Sequence, residues 1–179
     1  MVKLSVWLGS VVMFSLASLT DCGGKQQAYV PGNFAERCRL LALQDGEAGQ
    51  RYTMHRDETD MNSVQLHYLG NVTTKGDSVL KFIAQVRRFG MTKDNIRTTA
   101  TLHLYNAQNY PIGYYKLGGS DDVPRRLAGN SIIFDYTNGA CNQTTPINFA
   151  DSIPSTLYIG CAKQGDDLWK LKRSEVGEE

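Results

Sequence analysis

Beyond Ser63 the chain alternates apolar and polar residues with period two, a pattern that admits half-buried β-strands and little else. Val64, Leu66 and Tyr68 interleave with Gln65 and His67, and Leu80, Phe82, Ala84 and Val86 interleave with Lys81, Gln85 and Arg87. Turn chemistry at Gly70-Asn71 and at Lys75-Gly76-Asp77 separates these runs. Ala100, Leu102 and Leu104 continue the rhythm. Ile112-Gly113-Tyr114-Tyr115 returns it after a polar turn from Asn106 to Asn109, which predicts a hairpin with Pro111 at a strand start or sheet edge. Further strands are predicted at 132–136, 157–161 and 168–172, the last two joined through Gln164-Gly165-Asp166-Asp167. Seven or so short strands without a long helical stretch between them predict a mainly β domain: a single antiparallel β-sandwich or small barrel.

Before Ser63 the pattern differs. Asn33 precedes Phe34, Cys38 and Leu41 at helical spacing, with Glu36 in the capping-box position, so one short helix is predicted over 33–43. Residues 44–62 are polar, punctuated by glycine, and carry the acidic cluster Asp57-Glu58-Thr59-Asp60; they read as loop with a short strand near Tyr52.

The first residues read as an address. Lys3 is followed by an uncharged apolar run from Leu4 to Thr20, a basic n-region and an h-region that predict export. Ser5, Gly9, Ser10, Ser15 and Ser18 dilute the run below what a spanning helix needs. Two cleavage sites compete. Ser15-Leu16-Ala17 suits ordinary signal peptidase and releases a soluble chain from Ser18. Leu19-Thr20-Asp21-Cys22-Gly23-Gly24 resembles the lipobox of bacterial lipoproteins, in which the cysteine becomes the lipidated first residue. Leu19, Cys22 and Gly23 match that pattern, and Asp21 departs from the small residue usual there. The expected division is a signal peptide over 1–21, a tether over 22–32 and a β-rich domain over 33–179.

The four cysteines are Cys22, Cys38, Cys141 and Cys161, and an exported chain meets a compartment where disulfides persist. With Cys22 lipidated, the best remaining pair is Cys141 with Cys161, worth about 3 kcal/mol on chain entropy; Cys38 is then a small buried hydrophobe. In a soluble product Cys22 with Cys38 becomes a second bridge. No CxxC or paired histidine spacing suggests zinc.

The stretch 98–172 is similar to a loose group of small bacterial envelope proteins. The likeness lies in TATLHLYNAQNYPIGYY, a polar turn with Val123-Pro124, Leu127-Ala128-Gly129-Asn130-Ser131-Ile132-Ile133-Phe134, Cys141, and Ile153-Pro154 through to Cys161. It implies a bacterial origin and supports the Cys141–Cys161 pairing. It implies no activity.

A search for reactive groups finds none with a recognisable spacing. There is no GxSxG. His67 and His103 fall on the polar faces of their predicted strands and read as ordinary polar-face residues unless they meet across the sheet. The acids at Asp57/Glu58/Asp60, Asp121/Asp122 and Asp166/Asp167 lack the spacing of a calcium loop. Asn71-Val72-Thr73 and Asn142-Gln143-Thr144 match the glycosylation pattern, which has no bearing in a bacterium. Arg87-Arg88 and Arg125-Arg126 read as solubilising pairs. Lys plus Arg is 19 against 18 Asp plus Glu, a net charge of +1, which argues against nucleic acid as partner. Tyr105, Tyr110 and Tyr115, clustered at the predicted hairpin, form the candidate contact surface for a protein or glycan.

The sequence therefore predicts an envelope-associated lipoprotein, attached to a membrane through its lipid and acting as a non-enzymatic binding or interaction module without cofactor or metal. The alternatives are secretion as a soluble protein, a periplasmic inhibitor or immunity protein, and a glycan hydrolase built on two carboxylates.

Overall fold

The structure is a computed structural model that describes residues 33–56, 61–137, 142–160 and 168–174. Among them are one α-helix, α1 (Phe34–Asp45), and ten strands: β1 (Arg51–His55), β2 (Ser63–Thr73), β3 (Val79–Phe89), β4 (Arg97–Tyr105), β5 (Pro111–Lys116), β6 (Arg126–Ala128), β7 (Ser131–Asp135), β8 (Thr144–Asn148), β9 (Thr156–Tyr158) and β10 (Leu168–Arg173). The strands make two antiparallel sheets. The larger runs β1-β2-β3-β4-β5-β10-β9 and the smaller β6-β7-β8. Neither closes into a barrel, so of the two predicted architectures the sandwich is the one observed.

Alternation on the central strands sends their side chains to two different covers. Phe82, Ala84, Leu102, Leu104 and Tyr115 join Ile132, Phe134 and Phe149 of the smaller sheet and its flank, together with Trp169, in the main core. On the opposite face Val64, Leu66, Tyr68, Ile83 and Tyr105 receive Ala35, Cys38, Ala42 and Leu43 of α1. β2 serves both cores because it carries a bulge. Tyr68 pairs Ile83 and Gly70 pairs Phe82, which leaves Leu69 as the extra residue, and Gly70 takes a φ of 120°. Tyr68 thus faces the helix while Leu69 and Val72 enter the sandwich. The turn predicted at Gly70-Asn71 is this bulge within one continuous strand.

α1 starts where its capping residue places it, with the Asn33 side chain accepting the Glu36 amide at 3.0 Å. Its buried face is Ala35, Cys38, Arg39, Ala42 and Leu43. Leu41, predicted to face inward, is exposed, and Arg39 points in instead. The polar hairpin turn is observed, with Asn109 in the left-handed region and Pro111 opening β5. The short strands β6 and β8 were not predicted. One has three residues and the other carries Pro146 in its middle, so neither shows a period.

Candidate functional site

Cys22, Cys141 and Cys161 lie outside the described residues, as do the tether and the turn at 164–167. Cys38 is a free, buried thiol whose pKa is raised, chiefly by burial. The tyrosines do not form the expected surface. Tyr105 is 1% exposed and Tyr115 is 0% exposed: alternation along β4 sends Tyr105 away from Leu104 into the helix-side core, while Tyr115, paired with Leu102, enters the sandwich. The Tyr115 hydroxyl donates to the Pro154 carbonyl. Tyr110 alone of the three keeps intermediate exposure. His67 and His103 do not meet either. His67 pairs with Ala84 and His103 with Ile83, neighbours on β3 that point to opposite faces. Among the described residues no group of three or more His, Cys, Asp or Glu could hold a metal ion. The Asp122 carboxylate accepts from the Gly119 amide at 2.8 Å and the Tyr136 hydroxyl at 3.3 Å, a tie between the short turn at Ser120–Asp122 and the end of β7.

What the fold gathers instead is arginine. A cavity of about 530 Å³ at one end of the large sheet is lined by Arg37, Arg56, Arg87 and Arg88, with Asn33, Phe34 and Ala35 at the start of α1 and with Asn62, Ser63 and Val64. Register explains the convergence. His55 pairs Ser63 and Ser63 pairs Arg88, so the end of β1 and the end of β3 flank the start of β2 in one row. The Arg56 amide, bonded to the Asn62 carbonyl at 2.9 Å, closes the loop that leaves β1 and holds Arg56 one position beyond that row. Neighbouring strands lie about 4.8 Å apart, so Arg56 and Arg88 stand about 10 Å from each other across β2. The first turn of α1 sits over the same end, which brings Arg37 and the positive pole of the helix to the cavity. The Arg87 guanidinium lies 5.4 Å from the Phe89 ring centroid, which restricts where it points. No carboxylate among the described residues lines this cavity.

Beneath the helix runs a polar network. Arg39 donates through Nε to the Tyr105 hydroxyl at 2.7 Å and through Nη1 to Gln85 Oε1 at 2.6 Å. Gln85 donates in turn to Thr101 Oγ1 at 3.4 Å, and Thr101 bonds His103 Nε2 at 3.0 Å. The His103 ring lies 5.7 Å from Tyr114 and 6.5 Å from Tyr105, centroid to centroid. Burial and then the Arg39 charge hold the His103 pKa well below its ordinary value, and burial lifts that of Tyr105. The network is neutral apart from its guanidinium and offers no base poised on a nucleophile. It positions the helix and does not open onto the arginine cavity.

A second basic region lies on the other side of β1. Arg51, His67 and Arg125 line two adjoining depressions of about 300 and 380 Å³, and Arg126 lines the larger. Arg51 sits directly opposite His67, whose pKa is lowered by burial first and by Arg51 second.

Both arginine pairs taken from the sequence as solubilising thus line cavities. The arginines that join them come from distant positions, so no local spacing announced the grouping. Compared with known proteins, the chain matches no family model, no curated protein and no solved structure.

Proposed function

We propose that the protein is an exported binding module of the bacterial envelope, anchored through Cys22, that captures an anionic ligand in the cavity of Arg37, Arg56, Arg87 and Arg88. The observation that carries this reading is the presence of four arginine residues in the lining of one concavity in which the described residues include no carboxylate. Guanidinium forks bind phosphate, sulfate or carboxylate through paired, charge-assisted hydrogen bonds, each stronger than a neutral one. The helix N-terminus adds backbone donors of the same sign. Among the described lining residues none pairs a nucleophile with a base, and the arrangement favours capture over turnover. The export signal, the lipid anchor and a Cys141–Cys161 disulfide belong to the same proposal and rest on the sequence.

Titration calorimetry with inorganic phosphate, sulfate and glucose 6-phosphate at low salt tests the ligand class. The purified protein binds at least one of them, and the Arg87→Gln, Arg88→Gln double variant loses at least about tenfold in affinity, or about 1.4 kcal/mol, at unchanged melting temperature. Absence of heat with all three anions, or equal binding by the variant, would falsify the reading. Mass spectrometry of the mature N-terminus checks the anchor, since an unmodified peptide beginning at Ser18 removes it.

A further inference from the structure

The second basic region raises the question of why one small domain would carry two. Their placement along one strand supplies an answer. Arg51 opens β1 and Arg56 follows its last residue, so at about 3.4 Å per residue the two lie about 17 Å apart along the strand. β1 is the edge of the large sheet among the described residues. On β1, Tyr52 and Met54 pack toward the α1 core, so Arg51 points to the other face, where Arg125 and Arg126 stand. The first cavity therefore lies on the helix side at one end of β1. The second region lies on the side of the smaller sheet at the other end, lined by Arg51 of β1, while Arg56, just past the end of the same strand, lines the first.

We infer that the ligand is a linear polyanion, an acidic polysaccharide whose charged units run from the arginine cavity over the β1 edge to Arg51, Arg125 and Arg126. The inference rests on the anion-capture reading and extends it from one charged group to a repeating chain. A monoanion needs only the first cavity. Seven arginines lining two regions about one strand length apart suit charges that recur along a polymer. The polar side chains of the second region, Thr53, Gln65 and Ser120, offer donors and acceptors of the kind that sugar hydroxyls use. Nucleic acid would also bring repeating charge, but it is held by successive aromatic rings that stack bases. The arginine cavity is lined by one aromatic ring, Phe34, and the second region by one besides His67, that of Tyr52.

The test compares oligogalacturonate chains of increasing length on the purified protein and on two variants. The side chains of Arg125 and Arg126 are exposed, so Arg125→Gln, Arg126→Gln keeps the fold, which an unchanged melting curve verifies. The octasaccharide binds at least about tenfold more tightly than the disaccharide, and its affinity falls more steeply with salt because more counterions are released. Arg125→Gln, Arg126→Gln cancels this gain with chain length, whereas Arg87→Gln, Arg88→Gln weakens binding of both chains. An affinity independent of length, or an octasaccharide affinity untouched by the Arg125→Gln, Arg126→Gln change, overturns the polymer inference and leaves single-anion capture standing. Failure of every anion and both chains to bind overturns capture itself. A single-stranded oligonucleotide of equal charge that binds as tightly as the octasaccharide, with the same sensitivity to both variants, overturns the choice of glycan.

Discussion

The two faces of the large sheet are built from the same strands yet hold their covers by different means. On the sandwich side the contacts are apolar rings and branched chains, with Phe82 edge-on to Phe149 at 4.8 Å and Phe134 against Trp169 at 5.8 Å. On the helix side a smaller apolar cluster surrounds a guanidinium that reaches two buried partners, Tyr105 and Gln85. Apolar contact is non-directional and proportional to area, so it supplies most of the stability. A buried polar network contributes less net energy but fixes one geometry, because every member left without its partner is costly. The sandwich therefore supplies stability, and the helix side fixes where α1, and with it Arg37 and the rim of the arginine cavity, stands.

The comparison breaks most visibly at Phe82, which is 0% exposed in the main core. Phe82→Ala removes a ring and leaves a cavity, a loss of about 3–5 kcal/mol against the roughly 5–15 that hold a domain together. Ile83 is equally buried one residue on, against α1. Ile83→Val costs about 0.5–1.5 kcal/mol, because it trims a single methyl group. Urea unfolding of the pair measures both. A loss in Phe82→Ala below about 3 kcal/mol would contradict the weight placed on the sandwich core.

Arg39 comes next. Arg39→Leu leaves the Tyr105 hydroxyl and the Gln85 carbonyl oxygen without their donor, and each orphaned buried group costs about 1–3 kcal/mol. Adding Gln85→Leu removes one orphan, so the double variant loses less than the sum of the two single ones. A strictly additive cycle would show that the network holds nothing jointly. Anion affinity gives a second readout. Arg39 does not line the arginine cavity, so a weakened affinity in Arg39→Leu reports a displaced helix and not a lost ligand contact.

How much of this contrast was legible beforehand follows from its physics. The sandwich face was written in the alternation of Leu80, Phe82, Ala84 and of Ala100, Leu102, Leu104, because burial of apolar area needs only period and composition. The capping pair Asn33 and Glu36 marked the start of the helix, a local signal read by local chemistry. Arg39 gave no such sign, since a lone arginine in a helix is ordinarily a solvated residue and only its partners on β3 and β4 make it internal. The same holds for the arginine cavity. Arg37, Arg56 and Arg87-Arg88 are brought together by strand register and helix docking, both of which depend on the whole fold. The tyrosine cluster misled for the converse reason: closeness in sequence says nothing of facing, and because both faces of β4 and β5 are covered, alternation buried Tyr105 in one core and Tyr115 in the other.

Both faces respond to acid in the same sense, the helix side more strongly. His103 lies on the helix side, its pKa held well below 6.5 by burial and by Arg39. In the unfolded chain it takes up a proton near pH 6.5, while in the folded chain it does so only at lower pH. The unfolded state thus binds more protons in that window, and stability falls as the pH drops from about 6.5 toward the folded value, by up to about 1.4 kcal/mol per pH unit. Above pH 6.5 the effect vanishes. His67, lowered by burial and by Arg51, adds a smaller dependence of the same sign. Chemical denaturation from pH 7.5 to 5 shows the slope, and His103→Asn flattens it. An unchanged slope in that variant would assign acid sensitivity to other groups.

The smallest effect discriminates most finely. Asn33→Ala deletes the bond from the Glu36 amide to the cap, at a cost of about 1 kcal/mol. Because α1 belongs to the helix-side cluster alone, that loss falls on local opening of the helix and not on the sandwich. Amide exchange then accelerates about fivefold along Phe34–Asp45, while β3 and β4, which also carry the sandwich core, keep their wild-type rates under native conditions. Asn33 also lines the arginine cavity, so the same variant weakens phosphate binding by loosening the first helical turn around Arg37. Uniform acceleration across all strands would mean that helix and sandwich unfold as one unit, and the separation of stability from positioning drawn between the two faces would fail.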